Sequence, residues 1–315
     1  MKHLFKKEQL KKMRALIGLI LFSLVVAILN PRFLSMMNIL NILRQTSINA
    51  IIAAGMTFVI LTGGIDLSVG SVLAFTGAVA AALIGLSLPI APTIFLTLLV
   101  GTLLGSATGL VVAKGKIQAF IATLVSMTIL RGATLVFTEG RPITTMGQST
   151  SNFFSAIGNG YFLGIPIPVY IMVFVFSISH YILFHTRCGR YVYAIGGNEE
   201  AARLSGLSTI KLKIAVYGIS GFLASLSGII MTARLSSAQP TAGTGYELDA
   251  IAAVVLGGTS LAGGVGTILG TLVGALIIGI LNNALNLLNV SSYFQMIAKG
   301  SVILIAVLLD RKGNK

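Results

Sequence analysis

Residues 189–213, GRYVYAIGGNEEAARLSGLSTIKLK, form a polar, charged island between two apolar runs, residues 168–184 and 214–231. A plain connector between two apolar segments needs only a few residues, so a stretch this long reads as a surface with its own task. Its centre predicts a short helix lying across the cytoplasmic face. Asn198 is the N-cap, and Glu199 and Glu200 fall in the first turn, where their charge complements the helix dipole. Gly206 supplies the stop. The residues of this docking segment are Asn198, Glu199, Glu200, Ala201, Ala202, Arg203, Leu204, Ser205 and Gly206. Such a helix suits contact with another protein.

Outward from that island the chain is oily. Of its 315 residues 55% are hydrophobic and 10% charged, and the mean hydropathy is +0.95. A soluble domain carries about 25% charged residues. Residues 16–29, 71–84, 94–113, 117–137, 169–184, 214–231, 268–288 and 302–309 with their flanks are nearly free of charge. Several reach the roughly 20 residues that cross a bilayer. A soluble fold would need an all-apolar interior with almost nothing polar to cover it. The fold class is therefore an all-α polytopic membrane protein, one transmembrane domain over residues 1–315.

The net charge of +14 invites a nucleic-acid reading, but its distribution reports topology instead. Lys2, Lys6, Lys7, Lys11, Lys12 and Arg14 precede the first run, and Lys114 and Lys116 share one short loop. Arg187, Arg190, Arg203, Lys211 and Lys213 occupy the long loop, and Arg311, Lys312 and Lys315 end the chain. The positive-inside rule puts all four segments in the cytoplasm: the N-terminus at 1–14, the long loop at 186–213 and the C-terminus at 310–315 among them. The opposite loops hold Arg32, Arg44, Arg141 and Arg234. The expected partner of this charge is the lipid bilayer and not nucleic acid. The first run lacks a small-residue cleavage site before Asn30, Pro31 and Arg32, so it reads as a retained anchor. Cys188 is the single cysteine, which rules out an internal disulfide.

With both ends on one side the span count is even. The clear runs, together with two shorter ones around residues 50–61 and 250–256, bring it to about ten. Both short runs stop at a glycine-rich patch, GGIDLSVG at 63–70 and GGTSLAGG at 257–264, with the shared pattern GGxxLxxG. Gly-broken apolar segments in corresponding halves are the sequence pointer to a transport pathway, and non-helical backbone at membrane depth must line a cavity or be buried in protein. The bland alternative is a pair of ordinary tight turns. The broken-helix reading makes Gly63, Gly64, Asp66, Ser68, Gly70, Gly257, Gly258, Thr259 and Ser260 the pathway candidates. Parallel and inverted repeats both stay open. Two glycine ladders, Gly101, Gly105, Gly109 and Gly266, Gly270, Gly274, put a small residue at every fourth position. That spacing permits close helix approach, inside the chain as the favoured reading or between two copies.

Catalytic chemistry is not legible. His180 and His185 are five apart and miss the i, i+4 face of a zinc pair. Residues 114–117, KGKI, lack the Ser/Thr and the upstream glycine of a phosphate loop. No catalytic residue, metal site or cofactor is expected in this chain. Asp66 is the acid expected nearest membrane depth, where an ionisable group is functional by default, as a proton or ion ligand or a polar group of the pathway. The favoured alternative is a cap for the helix that starts at Leu67 or Ser68. Arg131 and Lys299 lie within apolar runs and are read as snorkelling to an interface. The loop at 236–249 and the segment at 138–165 face outward. Glu247 and Asp249 either open the next helix as first-turn acids or, with Arg141 and Arg234, receive an external partner.

Four stretches carry a resemblance: AIIAAGMTFVILTGGIDLSVGS (50–71), VAKGKIQAFIATLV (112–125), GRYVYAIGGNEEAARLSG (189–206) and ARLSSAQPTAGTGYELDAIAAVVLGGTSLAGG (233–264). Over nearly its full length the chain resembles the membrane permeases of bacterial ATP-driven sugar importers, the carbohydrate uptake transporter-2 group within the branched-chain-permease-like family. The resemblance implies a homodimeric core in the bacterial inner membrane with both termini cytoplasmic. It implies a separate ABC ATPase subunit carrying ATP and Mg, and a periplasmic sugar-binding protein that docks at Arg141, Arg234 and Glu247. Asn198–Gly206 then corresponds to the coupling segment, its EEAA-x-x-x-G run a short form of the EAA-type loop. The expected cargo is a pentose, D-ribose first, with another small sugar or autoinducer-2 as alternatives. An ion-coupled secondary transporter using Asp66 and a lipid-embedded receptor or scaffold are the readings from other classes.

Overall fold

The structure, a computed structural model, describes residues 20–21, 23–147 and 150–313. The basic N-terminus at 1–14 lies outside the described residues, as do Asn314, Lys315 and the charged side chains just before them. After a helical stretch up to Leu29, Asn30 caps a 3-10 turn at Pro31–Leu34. The helices follow in order: α1 (Met36–Leu61), α2 (Val69–Gly85), α3 (Ile90–Gly115), α4 (Ala119–Phe137), α5 (Ser151–Asn159), α6 (Ile167–His185), α7 (Arg187–Gly197), α8 (Glu199–Leu204), α9 (Thr209–Leu235), α10 (Tyr246–Leu256), α11 (Ile268–Leu287) and α12 (Ser292–Gly313). Among the described residues six are long and apolar enough to cross a membrane, namely α1, α3, α4, α6, α9 and α11. The apolar α2 is shorter, with 17 residues, and α10 has only 11, a length of about 16 Å at the helical rise.

The run read as short at residues 50–61 is the second half of a 26-residue helix. Its first half carries Asn38, Asn41, Arg44, Gln45 and Asn49, which break the apolar run in sequence but not the helix. Ser35 caps it by accepting the Asn38 amide. From Ala50 to Leu61 α1 is almost wholly buried, so it forms the centre of the molecule. Gly55 lets α9 approach to backbone contact: a Cβ there would sit 3.0 Å from Ser220 Cα.

Glycine sets the rest of the packing, since lipid supplies no hydrophobic drive between helices and close backbone contact must. The ladder Gly101, Gly105, Gly109 of α3 lies on Ser225, Gly221 and Tyr217 of α9. Gly270 and Gly274 of α11 lie on Gly257 and Ala253, and Gly266 on Thr259. Both ladders are thus used inside the chain. Thr57 of α1 and Thr271 of α11 share a buried hydrogen bond of 2.8 Å.

At the end away from Lys114 and Lys116 two short ladders tie the loops. β1 (Ile143–Thr144) pairs antiparallel with β4 (Ser237–Ala238), Ile143 opposite Ala238. β2 (Tyr161–Phe162) pairs with β3 (Ile165–Pro166). The segment after β4 turns back into the bundle: Arg131 Nη1, from within α4, donates to the Ala242 carbonyl at 2.8 Å and to that of Pro240 at 3.2 Å. Arg131 is therefore held in the protein, not stretched to an interface, and the loop 236–249 is only partly a surface loop.

Candidate functional site

The short helix at the centre of the island forms as its residues predict. The Asn198 side chain accepts the Ala201 amide at 2.9 Å, and Glu199 and Glu200 occupy the first turn of α8. Gly206 has φ +86°. Its amide bonds the Arg203 carbonyl and the Leu207 amide bonds that of Ala202, at 3.0 and 3.1 Å, the hydrogen-bond pair of a Schellman stop. Asn198 does the capping, which frees the two carboxylates for other partners. Glu199 accepts from Lys213 Nζ at 2.7 Å, pinning α8 to the start of α9. Glu200 pairs with Arg203 at 3.5 Å in full exposure, where an ion pair contributes little. The outward face of α8 is therefore Glu200, Arg203 and the exposed Leu204, while Ala202 turns inward and is buried.

What the island's polarity hid is α7, an 11-residue helix whose N-cap is Thr186, with Gly189, Val192 and Ile195 buried. Their spacing of three is the signal of one buried helical face. Cys188 lies at the start of α7, and burial pushes its thiol up.

The two glycine-rich breaks meet at this end of the molecule. Gly63 has φ +78°, and Gly258, Gly263 and Gly264 have φ of +87°, +90° and +71°, the left-handed region that side chains disfavour. The Gly264 amide donates to the Leu61 carbonyl at 3.0 Å, joining one break to the other. Gly196 of α7 lies against both: a Cβ there would run into the Leu61 carbonyl oxygen and the Gly264 amide, both backbone atoms. A Cβ on Gly263 would come within 2.8 Å of Gly63 N and 3.0 Å of Gly196 O. Tyr193 of α7 adds a hydrogen bond from its hydroxyl to the Gly266 carbonyl at 2.9 Å. Three glycine-bearing segments thus converge on one point, and the one that carries Gly196 runs directly into α8. A cavity of about 400 Å³ opens beside it, lined among others by Gly63, Gly64, Lys116, Glu199, Lys213 and Tyr217.

Asp66 is buried in the first break with every oxygen engaged. Oδ1 accepts the Ser68 amide at 3.0 Å and the Ser68 hydroxyl at 2.6 Å. Oδ2 accepts the Ser220 hydroxyl of α9 at 2.7 Å. The helix begins at Val69, one residue beyond the amide that Asp66 takes, so the carboxylate closes the turn ahead of α2 and anchors it to α9. The neighbouring Ile65 carbonyl accepts from Thr123 and Tyr217 at 3.2 and 3.3 Å. The buried Gly70 touches the chain on the other side, at Gly243. In the second break Ser260 is bonded through its amide to the Val265 carbonyl at 2.9 Å, and the buried Thr259 hydroxyl has no hydrogen-bond partner among the described residues.

The structure does not gather Arg141, Arg234 and Glu247 into one patch. Arg141 is exposed and Arg234 half-buried in the last turn of α9. Glu247 turns inward, its Oε1 accepting the Gly245 amide at 3.2 Å and its Oε2 lying beside Gly70. Glu247 therefore serves as a first-turn acid of α10, and so does Asp249. Lys299, read as snorkelling, instead donates to Asp249 at 3.1 Å. Among the described residues no group of three His, Cys, Asp or Glu side chains is placed to hold a metal.

Comparison with known proteins gives one family model, described as the permease component of a branched-chain amino acid transport system, matching residues 38–308. The ribose import permease protein RbsC of Haemophilus influenzae is 63% identical over 94% of this chain and 92% of that protein. The Bacillus subtilis protein of the same name is 56% identical over 96% of this chain and 94% of its own length. The xylose transport system permease protein XylH of Escherichia coli is 36% identical over 88% and 86%. No solved structure matches the chain.

Proposed function

The chain belongs to the permease-component family of branched-chain amino acid transport systems, and from that premise we propose that it is the membrane subunit of an ATP-driven importer that passes D-ribose into the cytoplasm. The observation that carries the cargo is the identity of 63% and 56%, over nearly the whole chain, to two proteins named as ribose import permeases. The xylose permease, at 36%, stands well behind. The chain is a transport subunit and not itself an enzyme. ATP and Mg act on a separate ABC ATPase, and a periplasmic binding protein delivers the sugar at the end bearing Arg141 and Arg234. Two copies make the membrane core, each with about ten helices that cross or partly cross the bilayer, both termini on the cytoplasmic side with the basic loops.

Coupling in this reading runs through the glycine node. The ATPase grips the outward face of α8, Glu200, Arg203 and Leu204. Displacement of α8 moves α7, and Gly196 bears on Leu61 and Gly264 together. Both breaks therefore feel one displacement, which tilts α1 against α2 and α10 against α11. Broken helices at the pathway, rather than a continuous bundle, allow that movement without unpairing whole helices. Against the ion-coupled alternative we weigh the partners of Asp66, two hydroxyls and an amide, which suit a structural acceptor.

The test is reconstitution of the chain with the ATPase and binding protein of its system in proteoliposomes. Uptake of labelled ribose that requires ATP and the binding protein is the expected result. ATP-independent uptake driven by a proton gradient, or preference for xylose over ribose, would overturn the class or the cargo respectively.

A further inference from the structure

Three polar side chains from three other helices meet at Asp249 of α10, deep in the bundle. Its Oδ2 accepts from Lys299 Nζ of α12 at 3.1 Å, Asn49 Nδ2 of α1 at 3.4 Å and Asn282 Nδ2 of α11 at 3.5 Å. Asn49 stands thirteen residues from the start of α1 and twelve from its end, so it lies about 18–20 Å from either. Asp249 is 4% exposed. The side-chain oxygens of Asn49 and Asn282 are buried and have no hydrogen-bond partner among the described residues. These are unmet acceptors on the two amides that already donate to the carboxylate.

Along each helix further polar residues lead toward this point at a spacing of four, which keeps them on one face. On α1 they are Asn41, Gln45 and Asn49, with Gln45 donating to Asn41 at 3.2 Å. Asn286 precedes Asn282 toward the site on α11, and Gln295 precedes Lys299 on α12; Gln295 donates to Asn286 at 2.9 Å. Asn41, Gln45, Asn49, Asn282, Gln295 and Lys299 are each partly exposed on the single chain. A row of amides and an ammonium facing hydrocarbon is costly, so this face meets water, a polar cargo or a second copy. A sugar presents hydroxyls that donate and accept in turn. Asp249 and the two free amide oxygens supply acceptors, while Lys299 and the amide nitrogens supply donors. α10 then runs from Asp249 down to the break at Gly257, about 12 Å at the helical rise, which links this cluster to the glycine node.

We propose that Asn49, Asp249, Asn282 and Lys299 are the sugar-contact station of the translocation path, entered along the amide face of α1, α11 and α12. This rests on the reading of the chain as a sugar importer, and the test separates the two. In a Cys188→Ser background, whose own ribose uptake is the reference, Asn49→Cys, Asn282→Cys and Gln45→Cys are made singly. Phe174→Cys, at an exposed apolar position of α6, is the lipid-facing control. The assembled importer in proteoliposomes is treated with a membrane-impermeant thiosulfonate, nucleotide-free and vanadate-trapped, with and without D-ribose. The expected result is labelling of Asn49→Cys and Asn282→Cys at least tenfold faster than Phe174→Cys in one state, slowed several-fold by ribose. Gln45→Cys, whose side chain hydrogen-bonds Asn41, keeps the reading testable if a deeper variant fails to fold. Labelling no faster than the control in both states overturns the station and assigns the face to packing. Fast labelling that ribose leaves unchanged, in vesicles that do take up ribose, overturns the sugar contact. Fast labelling in vesicles whose reference protein takes up no ribose upholds a polar route and refutes the importer's cargo instead.

Discussion

Gly196→Ala is the sharpest perturbation of the node. In an exposed helix the change would add roughly 1 kcal/mol of stability, because alanine is the better helix former. Here the new methyl runs into the Leu61 carbonyl oxygen and the Gly264 amide and comes within 3.0 Å of Gly264 Cα. All three are backbone atoms, so no side chain can swing aside. Overpacking of this kind costs about 1–3 kcal/mol. Parting the 3.0 Å bond from the Gly264 amide to the Leu61 carbonyl leaves a buried pair unmet, at about 1–3 kcal/mol more. Against the propensity gain the net is about 3 kcal/mol, a factor of roughly 100 in the equilibrium that keeps the two breaks joined. Gly197→Ala is the matched control, since a Cβ there meets nothing within 4 Å. In proteoliposomes Gly196→Ala is expected to cut ribose uptake and binding-protein-stimulated ATP hydrolysis at least tenfold, while capture of the ATPase by α8 persists. Gly197→Ala should behave as the parent. Equal coupling by the two variants, in either direction, refutes the node.

Asn198→Ala removes the cap of α8 and should cost about 1 kcal/mol of helix stability; ATPase capture weakens, and Asn198→Asp restores it. Asp66→Asn is expected to retain ATP-driven uptake with no response to an imposed proton gradient, whereas Asp66→Ala, which strips three donors of their acceptor, lowers stability by about 1–3 kcal/mol. A proton-gradient response in the parent that Asp66→Asn abolishes would return the carboxylate to ion coupling. Gly105→Ala would push a methyl into Tyr217 O and Gly221, while Gly132→Ala meets open space. Thermal unfolding in detergent should show the first destabilised by about 1–3 kcal/mol and the second unchanged or stabilised by up to about 1 kcal/mol.

The helix α8 was legible because its determinants are local. Asn198, the two acids and Gly206 specify a cap, a first turn and a stop within nine residues, and each does what its chemistry predicts. α7, only one residue before it, was not read, because its buried face of Gly189, Val192 and Ile195 is interleaved with arginines and tyrosines. The two GGxxLxxG breaks were found by pattern, but their hydrogen bond to each other was not, since Leu61 and Gly264 are far apart in sequence. Asp66, expected to cap a helix starting at Leu67 or Ser68, instead takes the Ser68 amide ahead of a helix that starts at Val69 with Ser68 as its N-cap. Its anchor on Ser220 of α9 has no local signature. Lys299 was misjudged for the same reason: its partner Asp249 lies on another helix.

Composition and local pattern by themselves determined the class of molecule, the short capped helix at Glu199–Leu204 and the places where helices break. These are set by hydropathy, by the capping of exposed backbone groups and by the freedom of glycine, all of which act over a turn or two of chain. Only the tertiary structure decided that both glycine ladders pack inside the chain, that α7 bears on both breaks at once, and that Asn49, Asp249, Asn282 and Lys299 meet. Those depend on which helices lie side by side. Inside a bilayer that choice is made by close backbone contact and by polar groups finding one another across helices, and neither is written in the neighbouring residues of any one of them.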